Sequence, residues 1–254
     1  MNAFNPAHFR AQFPSLADAG VYLDSAATAL KPLAVIDASD QFYRLSAGNV
    51  HRSQFAAAQR LTERYEAARD RVAAWLNAPS GKDIVWTRGT TEAINMVAQS
   101  YVRPRLQPGD EIIVSEAEHH ANLVPRLMVA GQTGARVVKL PLGADRLPDI
   151  ASLSALITRA AGCWPSVRCP TSPAAAGPQA IRLAHAAGMV VMVDGARGRC
   201  ISPLTCRRWI SIFTPFPAIS CMARPGSAPC TAKASCWQRC RPARRRENDR
   251  RGQL

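Results

Sequence analysis

Short apolar segments and amphipathic helical segments alternate from Val21 to Ile157, and that alternation confines this part of the chain to an α/β layer fold. Expected strands cover 21–24, 83–86, 111–115 and 135–140. Helices are expected over 4–16 (closed by Phe13-Pro14), 35–45 and 55–76, the last ended before Pro79 and Gly81. Further helices are expected from Thr91 to about Tyr101, then over 122–130 and 149–157, with Pro108-Gly109-Asp110 as a turn. Strands separated by helices predict a mostly parallel sheet with crossover connections.

The alternation stops at Thr158. Residues 160–178 are Pro, Ala, Cys and Gly without a period. Order returns as an amphipathic helix over 179–188 and an apolar strand over 189–193, ending in Asp194-Gly195-Ala196. From Arg197 onward Arg, Cys, Pro and Ser accumulate without a pattern. Charge breaks at the same place. Residues 1–158 hold 16 Lys+Arg against 15 Asp+Glu, whereas residues 159–254 hold 16 against 3, so the second part carries +13 of the net +14. All eight cysteines also lie beyond residue 158. The chain therefore divides into 1–158, 159–178, 179–196 and 197–254.

A net charge of +14 would ordinarily point to nucleic acid. The Arg244-Arg245-Arg246 run has no periodic face and no aromatic platform beside it, which argues against that reading. The cysteines lack CxxC spacing, so neither a zinc site nor a disulfide framework is expected. With no long apolar run and no secretory leader pattern, the expected compartment is the cytoplasm.

Chemistry concentrates at three places. In Val85-Trp86-Thr87-Arg88-Gly89-Thr90-Thr91-Glu92-Ala93-Ile94-Asn95 a strand turns through a glycine into a helix, with Thr90 or Thr91 as the expected cap. Unpaired N–H groups and the positive dipole end make such a junction an anion site. His119-His120 follows the strand 111–115, and Asp194 ends the apolar strand 189–193. Taken singly, these would be an ordinary capped helix, a surface histidine pair and a turn cap.

Taken together with Tyr22-Leu23-Asp24-Ser25-Ala26-Ala27-Thr28, Gly48-Asn49-Val50-His51-Arg52, Glu118-His119-His120-Ala121-Asn122 and Val193-Asp194-Gly195-Ala196, they resemble a cysteine desulfurase of the class V aminotransferase family, of the cysteine sulfinate desulfinase type. The resemblance covers 1–158 and 179–196. It implies a pyridoxal 5'-phosphate (PLP) enzyme of fold type I, with the large domain incomplete and the C-terminal small domain missing. It further implies removal of sulfur from cysteine (or cysteine sulfinate) giving alanine, as a sulfur supply for iron–sulfur clusters, by a homodimer working with a sulfur-acceptor protein. By the same resemblance Thr90 and Thr91 hold the cofactor phosphate, and His119 stacks on the ring as the catalytic histidine. Asp194 keeps the ring nitrogen protonated, and Ala27 and His51 face the substrate.

Three departures accompany the matches. Arg197 stands where the family has a glutamine bonded to the cofactor's phenolic oxygen. The family's Ser-Gly-His-Lys segment, whose lysine forms the Schiff base, is absent, as is the nucleophilic cysteine. Lys233 is the only lysine after Lys139, and its context does not match. A permitted coding of residues 159–173, read in another frame, gives a strand and a Ser-Asn-Val loop. The same operation on 201–233 returns Ser-Gly-His-Lys. The expectation is a frameshifted chain, off frame over 159–178 and 197–254, the latter a basic tail without a fold, and the whole inactive. The alternatives are an active PLP-dependent aminotransferase or lyase using another lysine, and a tail that binds nucleic acid.

Overall fold

The computed structural model describes residues 4–25, 28–46, 48–52, 54–157, 166–168, 176–194, 214–215 and 228–231. In chain order its helices and strands are α1 (Pro6–Arg10), α2 (Leu33–Leu45), α3 (Ala56–Trp75), β1 (Ile84–Thr87), α4 (Thr90–Val97), β2 (Glu111–Ser115), α5 (His120–Thr133), β3 (Arg136–Leu140), α6 (Ile150–Leu156), β4 (Ser166–Arg168), α7 (Ala176–Ala186), β5 (Met192–Asp194), β6 (Thr214–Pro215) and β7 (Ala228–Thr231). Among these residues no helix is long and apolar enough to cross a membrane.

Local chemistry sets the boundaries. Asn5 caps α1 by accepting from the His8 N–H at 3.1 Å, with Pro6 at the first helical position. Asp149 caps α6 through the N–H groups of Ala151 (3.1 Å) and Ser152 (3.2 Å). α5 ends at Gly134, whose φ of +73° is the left-handed stop that a side chain would resist. A Cβ there would also sit 3.1 Å from Pro108, so glycine lets the helix end close on the turn before β2.

β2 lies inside a parallel sheet of order β3-β2-β4-β5. Its register with β3 runs from Glu111 opposite Arg136 to Ser115 opposite Leu140. β4 pairs with β2 at Val114 and Ser166, and with β5 from Ser166–Met192 to Arg168–Asp194. All five β2 residues are buried, as expected of a strand covered on both faces. Alternation along the strands divides the core. Ile112, Val114 and Met192 pack with Ala93, Ile94 and Val97 of α4 and Val129 and Ala130 of α5. On the other face Ile113, Leu140, Val191 and Val193 pack with Leu153 of α6 and Ala180, Ile181 and Ala184 of α7. Helices thus cover both faces, and the path reverses between β2 and β4, which marks the carboxyl ends of those strands as the place for a crevice. A second sheet, order β1-β7-β6, is antiparallel, with Ile84 opposite Thr231 and Thr87 opposite Ala228.

Three sequence expectations change. Residues 21–24 are extended but form no strand; Val21 and Leu23 are 86% and 89% exposed, and among the described residues no strand takes up their backbone groups. The helix expected over 4–16 is only α1 followed by a short 3-10 turn, Pro14–Leu16. Conversely β4, β6 and β7 form where no period is visible, and α7 starts at Ala176 rather than 179.

Candidate active site

The sheet's carboxyl edge gathers the polar side chains. β2 ends at Ser115 and the chain reaches His119, the N-cap of α5. Nδ1 of His119 accepts from the Ala121 N–H at 3.1 Å, so the neutral ring carries its proton on Nε2. The His120 ring lies 4.1 Å away, tilted by 33°, and His119 is otherwise exposed. Its cap bond holds the ring at the start of α5, with the His120 ring beside it.

Asp194 ends β5 on the same edge, because β2, β4 and β5 run parallel. It is 7% exposed. Beneath it lies a buried polar chain that the sequence reading missed. Asn122, fully buried, donates from Nδ2 to Glu118 Oε2. Arg126, 6% exposed, donates from Nη1 to both Oδ1 and the backbone oxygen of Asn122, and its Nη2 lies 3.4 Å from Met192 Sδ. Burial brings the Arg126 guanidinium down to about 10, while the charges of Glu118 and Asp194 act to hold it protonated. The signal was available: Glu118, Asn122 and Arg126 are spaced by four, a polar stripe along the helix side that also buries Val129 and Ala130.

The expected phosphate threonines sit at the start of α4, which packs against α5. Neither caps the helix, contrary to expectation: Gly89 occupies the N-cap and no side chain bonds there. Instead Glu92 Oε2 accepts from the Arg88 N–H at 2.5 Å, and Thr87 Oγ1 donates to the Gly89 oxygen at 3.2 Å. This leaves Thr90 Oγ1 buried with no hydrogen-bond partner, a costly state for a hydroxyl. A Cβ on Gly89 would meet nothing within 4 Å, so the turn beside it is open. Thr91 is exposed, its backbone oxygen accepting from Asn95 Nδ2 at 2.9 Å. An orphaned hydroxyl at a helix N-terminus with open space alongside is a fit for a phosphate oxygen.

His51 is placed differently. Its Nε2 lies 3.0 Å from Glu66 Oε1 on α3, and its ring meets the Tyr65 edge at 5.6 Å; Tyr65 in turn contacts Trp86 of β1. It is thereby tied to α3. Ala27, Arg197 and Lys233 lie outside the described residues.

A parallel sheet of order β3-β2-β4-β5 with helices on both faces is the architecture of the large domain of a PLP-dependent transferase. The chain belongs to the class-V aminotransferase family, whose model matches residues 21–209; PLP is that family's cofactor. It is 71% identical over 205 residues to the cysteine desulfurase CsdA of Escherichia coli (strain K12), covering 78% of this chain and 50% of that protein. It is 42% identical over 202 residues to a cysteine desulfurase of Pectobacterium atrosepticum, covering 77% and 50%. The crystal structure of Escherichia coli CsdA in its S-sulfonic acid form superposes with a TM-score of 0.84 at 59% identity, covering 95% of this chain and 61% of that one. The apo cysteine desulfurase of Thermococcus onnurineus NA1, at 24% identity and a TM-score of 0.85, shares the fold. The chain spans about half the length of the curated relatives it matches.

Proposed function

We propose that this chain carries the phosphate- and ring-binding part of a cysteine desulfurase site and binds PLP without a covalent anchor. The observation that carries this is the buried, unpartnered Thr90 hydroxyl at the N-terminus of α4. When bound, PLP supplies an electron sink for the bonds of an amino-acid substrate. Thr90 would donate to its phosphate, with Thr91 and the free N–H groups of the first turn beside it. His119, held by its cap bond to Ala121, would present its ring face and keep a proton on Nε2. Asp194 would accept from the ring nitrogen and hold the proton there. His51 and Ala27 are proposed for the substrate side, with cysteine or cysteine sulfinate as substrate, and a homodimer, a sulfur-acceptor protein and the cytoplasm as the setting.

Turnover is not expected, because no lysine matches the family's cofactor lysine. Lys139 pairs with Glu116 at 2.6 Å, and Lys82 is exposed in the turn before β1. A second reading, catalysis from another lysine, draws on Lys31: its Nζ donates to the Ala29 oxygen, and burial lowers its pKa from the ordinary lysine value. We also propose that 159–178 and 197–254 are read off frame, which the coding sequence across codons 159–254 tests; restoring both frames should give a yellow, dimeric protein.

The cofactor reading is tested by the rise in melting temperature on adding PLP. Wild type should show a shift that Thr90→Val and Asp194→Asn each reduce. Equal shifts in all three proteins would reject the assignment.

A further inference from the structure

Glu66 stands at a junction on α3. Ala58, Thr62 and Glu66 follow one another at four-residue intervals and Arg69 lies three further on, so all four line one side of the helix. The segment 48–52 is fastened along that side. A Cβ on Gly48 would stand 2.8 Å from Ala58 Cα, so glycine admits the approach. The His51 N–H donates to Thr62 Oγ1 at 3.1 Å, and that hydroxyl donates to the Ala58 oxygen at 2.9 Å. His51 takes a left-handed φ of +61°, a conformation that a side chain adopts where its surroundings compel it.

His51 Nε2 lies 3.0 Å from Glu66 Oε1, and an ionised carboxylate only accepts, so Nε2 carries a proton. The neutral ring then has a bare Nδ1, for which the described residues supply no partner. Glu66 is itself oriented. Arg69 Nη1 donates to its two oxygens at 3.2 and 2.9 Å, while Arg69 Nε donates to the Ile84 oxygen, at the start of β1, at 3.1 Å. His51 and Glu66 are both partly exposed, so the pair contributes orientation more than stability. An imidazole with one nitrogen tied to an oriented carboxylate presents the other to a proton. We propose that Glu66 is a positioning residue: it fixes the His51 imidazole with its proton on Nε2 and so makes Nδ1 the atom that takes a proton from the ammonium or thiol group of a bound amino acid. The donor's electron pair stays on the amino acid, and the Glu66 charge balances the proton gained. The amino-acid clause rests on the substrate side proposed for His51 above; the tautomer does not.

The test is nitrogen-15 NMR of the neutral histidine rings in the full chain, ligand-free, with His51→Gln to assign the signals. The ring shifts read the ratio of the two tautomers. Wild type should hold His51 with its proton on Nε2, and Glu66→Ala should lower the ratio of that tautomer to the other at least about 5-fold. Glu66→Gln keeps an acceptor oxygen and should retain most of the wild-type ratio. Glu63→Ala, on the exposed side of α3, should match wild type. If Glu66→Ala lowers the folded fraction, Glu66→Met, which keeps the stem, carries the comparison. An unchanged ratio in Glu66→Ala, or equal changes from Glu66→Ala and Glu63→Ala, would overturn the proposal. Cysteine sulfinate added to the chain with PLP should move the Nδ1 signal of wild-type His51. An unmoved Nδ1 rejects the amino-acid clause while the ligand-free difference still stands, and PLP that fails to bind rejects the cofactor reading alone.

Discussion

The Arg126 guanidinium lies 3.4 Å from the sulfur of Met192, joining the inward face of α5 to β5 two residues before Asp194. This contact spans the interval between the two carboxyl-edge elements that carry His119 and Asp194. α5, which His119 caps, is thereby tied to the strand that Asp194 ends.

Core packing on the opposite face gives the plainest stability expectation. Leu153 is fully buried among Ile113, Leu140 and Val191. Leu153→Ala should cost about 2–5 kcal/mol, from lost burial and the cavity left behind. Urea denaturation at neutral pH measures it.

His119 does two things that substitutions can separate. Its Nδ1 caps α5, so His119→Ala should lose about 1 kcal/mol of stability. His119→Asn replaces one acceptor by another and should keep most of that stability. Both variants lose the ring, so both should weaken PLP binding. Circular dichroism melts set beside PLP titrations check the split.

Much of this fold was legible because the strongest elements declare themselves. Glu111 to Ser115 reads as a strand and is one, since a run buried on both faces needs apolar residues throughout. The helix-forming run rich in Ala, Arg and Glu, stopped before Pro79 and Gly81, located α3, and the expected helix over 122–130 lies within α5. The errors have physical causes. Val21 and Leu23 alternate with Tyr22 and Asp24 as strand residues would, yet a strand also needs a neighbour's backbone, which local pattern does not report. β4 is three residues long and lies where composition shows no period, so only the sheet around it reveals it. At the site, the threonine-rich turn suggested a capped helix, whereas the structure leaves Thr90 uncapped and buried. Arg126 was missed because a charged residue in an amphipathic helix is ordinarily taken to face water.

Acid should loosen two helix starts. The hydrogen bond and charge of Arg88 lower the Glu92 pKa, and the Ser152 hydroxyl followed by the first-turn N–H groups lowers that of Asp149. Carboxyls whose folded pKa lies below the unfolded value stabilise the fold above the unfolded pKa, and that contribution fades as pH falls through the folded one. Stability should thus decline as pH drops below about 4.5, and Glu92→Gln and Asp149→Asn should each flatten the decline. A pH series of denaturation midpoints that leaves both variants as steep as wild type would contradict this.

Thr90→Val isolates the orphaned hydroxyl. Removing a buried polar atom that bonds to nothing relieves an unpaid desolvation, so the ligand-free variant should be as stable as wild type or more stable. A substantial loss of stability would show that the hydroxyl already serves the ligand-free fold.

The central claim is that the phosphate and ring contacts persist without a covalent lysine. The most direct measurement is intact mass after incubation with PLP and borohydride reduction, beside equilibrium dialysis of the unreduced mixture. PLP should be retained reversibly in dialysis, with no mass added on reduction. A reduced adduct on any lysine, Lys31 and Lys233 included, would contradict it, as would dialysis showing no PLP retained.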